Sequence, residues 1–451
     1  MNNERAVAVV AIERGRRVGS LVLAAAVAHA AAAIGVAGCN SDNNQAAGPG
    51  VGGNSGSGAP SAGRGGAAGS VPGGAGVGGS GVGGAGGTGV AGAGGAMGGG
   101  GGATGCTLPT GPAGSWVEVT PPPGQTGFRA TDAFTVGTDD LMFAGNTFDN
   151  INGASDPRVL RWSQGCWTVE LTIAPSPPTP LFPSVNGTGP NDVWAVGGDL
   201  LYHRDAQGWT RFSDESWRGK VRPPASFAGP IELRRVRAVA ANDIWVAATN
   251  NILHWSGGQW TTYNFDDANY PDVSAAIGFY FRDIWIDSPT SVWVGGPSDQ
   301  VGNTMDLAVM HHFDGASFTH TFVPLFSFEA IWRAGAVLWL TGVTRADVNG
   351  VTQDFTLSRF DGTTATAAPI AGVDPTVRSI FMTSLFGHGA GDVWAAGNDV
   401  AHFDGQSWSL IPDAPPAARG DDTNNTFVTG DAGSVWLATP GPRFFRKVTG
   451  P

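Results

Sequence analysis

The sequence predicts an all-β fold: a seven-bladed β-propeller of four-stranded antiparallel blades, preceded by a disordered glycine-rich tether. Three observations predict it. Glycine (71) and tryptophan (16) are both abundant in 451 residues of which only 14% are charged, a composition of short strands and tight turns. A short apolar strand centred on an aromatic recurs seven times, its centres 42 to 55 residues apart, the period of propeller blades. The first 105 residues or so lack that pattern and are mostly an apolar run followed by Gly, Ala, Ser and Val.

The chain opens with Arg5, Arg14, Arg16 and Arg17, then an almost wholly apolar stretch from Val18 to Val36, then Ala37-Gly38-Cys39. A basic start, an apolar run and small residues before a cleavage point make a secretory signal. A run of about 19 residues is also long enough to span a bilayer. The Val36-Ala37-Gly38-Cys39 string resembles the lipobox of bacterial lipoproteins, and that favours the signal. The resemblance implies that residues 1–38 are removed and that Cys39 is lipidated. It also implies that Asn40, not being aspartate, directs the protein to the outer membrane or cell surface. The family's mature cysteine carries more than one acyl chain, which makes a stable anchor where a single chain is marginal.

Residues 39–105 form the next unit, the lipidated cysteine and its linker. With almost no charge and few large apolar groups, the linker cannot offset its ordering entropy. As a flexible coil it reaches about 45 Å. It has no strand–GxxxxGK[ST]–helix context for a phosphate loop and no glycine at every third position for collagen. Cys106 and Cys166 are the cysteines left over. An even number in an exported protein is expected to pair, because disulfides persist there; two free thiols are the alternative.

Residues 106–451 carry the repeats. The anchors are Leu141–Gly145, Val193–Gly197, Ile244–Ala248, Val292–Gly296, Leu338–Gly342, Val393–Gly397 and Val435–Thr439. After each comes a second strand and a tight turn, as in Ile252–Trp255 and Ser256–Gln259. An outer strand then opens with an aromatic: Trp167, Trp209, Trp260, Phe318, Trp408. An upstream stretch such as Val236–Val239 supplies the innermost strand. The last repeat ends at Phe444–Val448 without an outer strand, while Ser115–Thr120 matches the outer-strand pattern of Gln259–Tyr263. The N-terminal strand is therefore expected to complete the last blade, closing the ring and hiding its edges. Cys106 then lies near the seam, beside Cys166 of the neighbouring blade.

These repeats, best seen in Trp194-Ala195-Val196-Gly197-Gly198 with Tyr202 and Trp209, resemble kelch-like and regulator-type propellers with a "DVWAVG" repeat. The resemblance covers roughly residues 115–451 and implies a fold, not an activity. Strict kelch diglycines occur at this place only at Gly197-Gly198 and Gly295-Gly296.

The equivalent tryptophans, Trp194, Trp245, Trp293, Trp339, Trp394 and Trp436, are expected to pack blade on blade. Asp140, Asp192, Asp243 and Asp392, in the turn before those strands, are expected to bond local backbone. His203, His254, His312 and His402 share one repeat position with Arg161 and Arg359, so they cannot converge on a single zinc. No GxSxG elbow is present, and a glycosidase pair would have to come from loop aspartates whose separation is not legible. The net charge of −12 argues against nucleic acid.

Loop lengths point to a binding face. Turns from first to second and third to fourth strand are short. The other joins, all on the opposite face, run long at Asn146–Pro157, Thr172–Phe182, Ser213–Arg234, Asn264–Arg282, Pro297–Asp306, Thr344–Asp354 and Pro412–Asn424. Loops on a rigid scaffold are where binding usually sits. The expected ligand-binding residues are Trp217, Arg218, Arg222, Asp266, Asp267, Tyr270, Asp299, Arg345 and Asp347. Asn152, Asp156, Asp347, Asn349 and Asp354, around Asn-Gly turns, are weak calcium candidates; no other cofactor is implied. The sequence thus points to a monomeric, non-catalytic surface lipoprotein that binds a protein or an envelope glycan and meets the membrane through its lipid alone. A polysaccharide hydrolase or lyase using loop carboxylates, and a structural envelope protein, are the alternatives.

Overall fold

The computed structural model describes residues 106–125, 127–148, 155–173, 183–221, 231–265, 281–297, 308–323, 325–348, 351–374, 380–415, 426–439 and 443–448. By its internal contacts the chain divides into residues 1–95 and 96–451; all described residues belong to the second unit. Cys39, the signal and the tether lie outside the described residues.

The described chain contains strands and turns and no helix. β-Branched and aromatic residues fill the anchor strands, such as Asp192–Gly197 and Ser291–Pro297, where such side chains pack well on a pleated surface. The strands form seven antiparallel sheets, one per blade. Blade 1 starts at the inner strand Phe128–Gly137, and blades 2 to 7 at Ser184–Gly189, Leu233–Ala240, Asp283–Ser288, Leu325–Ala334, Met382–Gly389 and Phe427–Asp431. The expected closure is present. Trp116–Val119 pairs with Phe444–Val448 as the outer strand of blade 7, in register from Trp116↔Lys447 to Val119↔Phe444.

Two details differ from expectation. Blade 6 has a fifth strand, because Ile370–Ala371 pairs parallel with Trp408 and Ser409 at its outer edge. The stretch 344–354 of blade 5, expected as a long loop, is mostly paired strand. Arg345↔Asp354, Ala346↔Gln353, Asp347↔Thr352 and Val348↔Val351 extend the hairpin beyond the end of the inner strand at Leu325↔Thr344. The two arms there satisfy their backbone groups by pairing with each other.

Seven hydrophobic clusters appear among the described residues, and each draws on two adjacent blades. The core is therefore a ring of interfaces, not one centre. The equivalent tryptophans sit in it as expected: Trp245 packs against Val292 and Phe313 of blade 4, and Trp436 against Phe143 and Trp162 of blade 1. Small residues near the ends of anchor strands make room for the next blade. A Cβ at Gly295 would stand 2.3 Å from the Phe328 ring, an overlap no packing tolerates.

Cys106 and Cys166 form a disulfide with Cα atoms 5.2 Å apart. It joins the segment leading into the outer strand of blade 7 to the outer strand of blade 1. The seam is thus closed twice, by hydrogen bonds and by a covalent link.

Candidate functional site

The inner strand of a blade has only one sheet neighbour, so its other edge faces the axis and needs partners for its backbone. The chain supplies them from side chains one blade back. Asp132 Oδ2 accepts from the Val185 N–H at 3.3 Å, and Ser184 Oγ from Val236 at 3.1 Å. Asp283 Oδ2 accepts from Ile331 at 3.0 Å, and Ser384 Oγ from Val428 at 2.9 Å. A polar residue at one repeat position therefore links neighbouring blades around the axis.

Blade 3 adds two arginines at alternate positions. Arg237 donates from Nη1 to Asp132 Oδ2 at 2.8 Å and from Nη2 to Asp283 Oδ1 at 3.0 Å, tying blades 1, 3 and 4 across the axis. Arg235 donates to the carbonyls of Arg282 and Thr131, both at 3.0 Å. The side chains of Asp132 and Asp283 are only 5% and 8% exposed. Burial by itself would raise the pKa of Asp132, but Arg237 and Arg235 beside it outweigh that and hold it below its ordinary value. Burial likewise disfavours the Arg237 cation, and its two carboxylate partners more than restore it. The cluster is a neutralised set of ion pairs, and Asp132 and Asp283 divide their oxygens between these arginines and the backbone of the next blade.

Two cavities share this axis. The larger, about 310 Å³, is lined by Asp132, Asn186, Arg235, Arg237, Asp283, Trp285, Trp332, Phe386 and Thr429, among others. The smaller, about 140 Å³, is lined by Thr131, Arg234, Arg235, Arg282, Glu329 and Phe427, among others. Its residues begin the inner strands, so it lies toward the face with the long joins. Glu329 sits there with its pKa raised by burial, an effect that Arg282 and Arg235 only partly offset.

The loop residues expected to bind ligand fall out as follows. Trp217 is 1% exposed and belongs to the cluster between blades 2 and 3, which takes it out of reach of a ligand. Arg218 lies 4.7 Å over its ring and is engaged by Glu215 and Asp199, at 2.8 and 2.9 Å. Arg345 and Asp347 are on the extended ribbon of blade 5. Arg222, Asp266, Asp267, Tyr270 and Asp299 lie outside the described residues, as do Asn152 and Asn349. Asp156 and Asp354 are on paired strands. Among the described residues no group of three or more His, Cys, Asp or Glu is placed to hold a metal ion.

The repeat histidines do not converge. Each stacks on its blade's tryptophan, at 4.1 Å for His203 on Trp194, 3.8 Å for His254 on Trp245, 3.9 Å for His312 on Trp293 and 4.3 Å for His402 on Trp394. The aspartates expected to bond backbone bond these side chains instead. Asp192, Asp243 and Asp392 meet His203, His254 and His402 at 2.9, 2.8 and 2.7 Å, and Asp140 holds Arg161 through both oxygens. Register explains the difference, since each His or Arg faces the residue two past the aspartate on the adjoining strand. The axial residues were missed by sequence reasoning. The signal available was Arg235 and Arg237 flanking a buried valine in a strand that needed no charge.

No protein-family model matches the chain, and no curated protein matches it in sequence. Among solved structures it is similar to PorZ, a surface component of the type-IX secretion system of Porphyromonas gingivalis, with TM-score 0.48 and 12% identity over 69% of this chain and 46% of that one. It is also similar to the β-propeller domain of the Trilobed protease from Pyrococcus furiosus, with TM-score 0.42 and 8% identity over 73% of this chain and 96% of that one. Sqt1 from Chaetomium thermophilum gives TM-score 0.44 and 8% identity over 74% and 100%. This chain spans less than half the length of the first. These likenesses are of fold alone.

Proposed function

We propose that this chain is a non-catalytic binding or scaffold protein, lipidated at Cys39 and displayed at the outer membrane or cell surface. It holds a protein or an envelope glycan on the face that carries its long joins. The observation that carries this reading is the segregation of connections. All seven turns from inner to second strand are two residues long, and those from third to fourth strand are two or four. The connections on the other face range up to the 21 residues between Arg211 and Leu233. A rigid ring with diversity confined to one face is the arrangement of a recognition scaffold.

The test is crosslinking of the full lipidated chain in envelope extract, beside two variants. One carries Arg222→Ala, Asp267→Ala and Tyr270→Ala, within the long joins of the sequence; the other carries Asp205→Ala and Gln207→Ala at a short turn of the opposite face. One defined protein or glycan captured by the parent and the second variant, and lost with the first, is the expected result. Capture indifferent to both variants, or hydrolysis of any envelope polysaccharide by the chain, overturns the proposal.

A further inference from the structure

The larger axial cavity has two unlike walls, and they arise from one register position. Asn186, Arg237, Trp285, Trp332, Phe386 and Thr429 each face the anchor aromatic of their own blade. They stand at one level around the axis, and all six line the cavity. Blades 4, 5 and 6 contribute an arc of rings. Trp285 and Trp332 meet edge to face at 4.8 Å, and Trp332 and Phe386 follow at 5.4 Å. All three rings are only partly buried. Blades 2, 3 and 7 contribute the polar wall.

The polar wall has hydrogen-bonding capacity left but no net charge to offer. Arg237 is committed to Asp132 and Asp283. With Arg235 alongside, two guanidiniums stand against two carboxylates. A cation would meet the arginines and an anion the aspartates, each already paired, so neither gains by entering. Asn186 accepts the Ala238 N–H at 2.9 Å through its carbonyl oxygen. That leaves its amide NH₂ and the Thr429 hydroxyl without a protein partner among the described residues.

We propose that this cavity binds the terminal residue of a neutral saccharide. A pyranose has an apolar C–H face suited to an aromatic wall and a rim of hydroxyls that both donate and accept, as Asn186 and Thr429 require. The volume, about 310 Å³, is at the small end of the roughly 300–1,000 Å³ of ligand pockets, enough for one or two sugar rings. A closed ring of blades admits a chain end and not a chain middle. The aromatic level lies toward the two-residue turns, so this site is separate from the face with the long joins. Its failure leaves the proposed function standing.

The experiment is saturation-transfer NMR with calorimetry on the full chain. The probes are trisaccharides of glucose, mannose, galactose and N-acetylglucosamine; trigalacturonate, choline and adenosine are the controls. At least one neutral trisaccharide binds, with the strongest saturation on its terminal ring. Trp332→Ala weakens it at least about ten-fold, Asn186→Ala weakens it, and Trp332→Phe, which keeps a ring, restores most of it. Melting curves establish that each variant is folded, and Asn186→Ala, at a partly exposed site, carries the test if Trp332→Ala is not. No binding by any neutral trisaccharide overturns the inference. So does tighter binding of a charged probe or of adenosine, or affinity unchanged in both Trp332→Ala and Asn186→Ala.

Discussion

Single residues on the axis show how burial is matched to partnership. Asp132 is buried and tolerates it because two arginines face it. Glu329 shares only Arg235 with it and has Arg282 as its other cation, no hydrogen bond to it is formed among the described residues, and desolvation dominates. The sign follows from linkage. A carboxyl whose folded pKa is raised stabilises the fold below its unfolded pKa and loses that contribution as pH rises through the folded value. Glu329→Gln is therefore expected to melt higher than the parent at pH 7. The two should converge near pH 3, where the parent's glutamate is protonated in both states. Thermal melts across that range check this; an equal difference at both ends would place the effect elsewhere than in ionisation.

Within a blade, the unit that recurs is an aspartate at the head of the anchor strand, a tryptophan two residues on, and a histidine facing that tryptophan. Blade 6 shows it most fully. Asp392 accepts from the Trp394 indole and from His402, both at 2.7 Å, and lies 2.8 Å from His388 Nδ1. Burial would raise its pKa, but His402, His388 and Trp394 together lower it. The carboxylate fixes the rotamers of the rings that pack against blade 7. Asp392→Ala is expected to cost about 1–3 kcal/mol, because it leaves the buried Trp394 indole and two partly exposed histidines without their shared acceptor. Asp404→Ala, in an exposed turn where the carboxylate caps Gln406 and Ser407, should cost less. Chemical denaturation of the two variants compares them, and equal costs would reduce the unit to ordinary turn chemistry. Blade 4 uses Ser291 in place of the aspartate, with His312 3.0 Å from its hydroxyl. A carboxylate still serves this blade's tryptophan, because Asp287 of the inner strand accepts from the Trp293 indole at 3.1 Å.

For the whole molecule, stability rests on closure. Every blade buries its faces against two neighbours, so opening one seam exposes two apolar surfaces. The ring closes within blade 7, where the outer strand Trp116–Val119 and the pair Arg443–Glu118 at 2.6 Å join early to late chain, and the disulfide then ties that strand's lead-in to blade 1. The bond closes a loop with a sequence separation of 60. Loop-closure entropy assigns a cross-link of that length about 4 kcal/mol. Reduction, or Cys106→Ser with Cys166→Ser, is expected to lower the melting temperature by several degrees. It should also speed proteolysis in 106–120, ahead of the rest of the propeller. Limited proteolysis with mass mapping checks the order of cleavage; first cuts elsewhere would show that the seam does not limit stability.

Much of this protein is written in local pattern. The 42-to-55-residue recurrence determined the blade number, because each blade must present the same short apolar strand to its neighbours. The unfinished last repeat and the unmatched Trp116 strand determined the closure, since a sheet edge demands a partner. Cys106 and Cys166 were legible as a pair once closure was known. The tertiary structure alone decided what happens where distant strands converge. Trp217 reads as a loop aromatic, but its ring enters the core between blades 2 and 3. Asp192 reads as a turn residue, but it serves a histidine eleven positions on. Asp132, Arg237 and Asp283 are separated by 105 and 46 residues yet share one ion-pair cluster. Periodicity reports which way a side chain points within its own strand. It does not report which side chain arrives from the next blade, and the axis is built wholly from such arrivals.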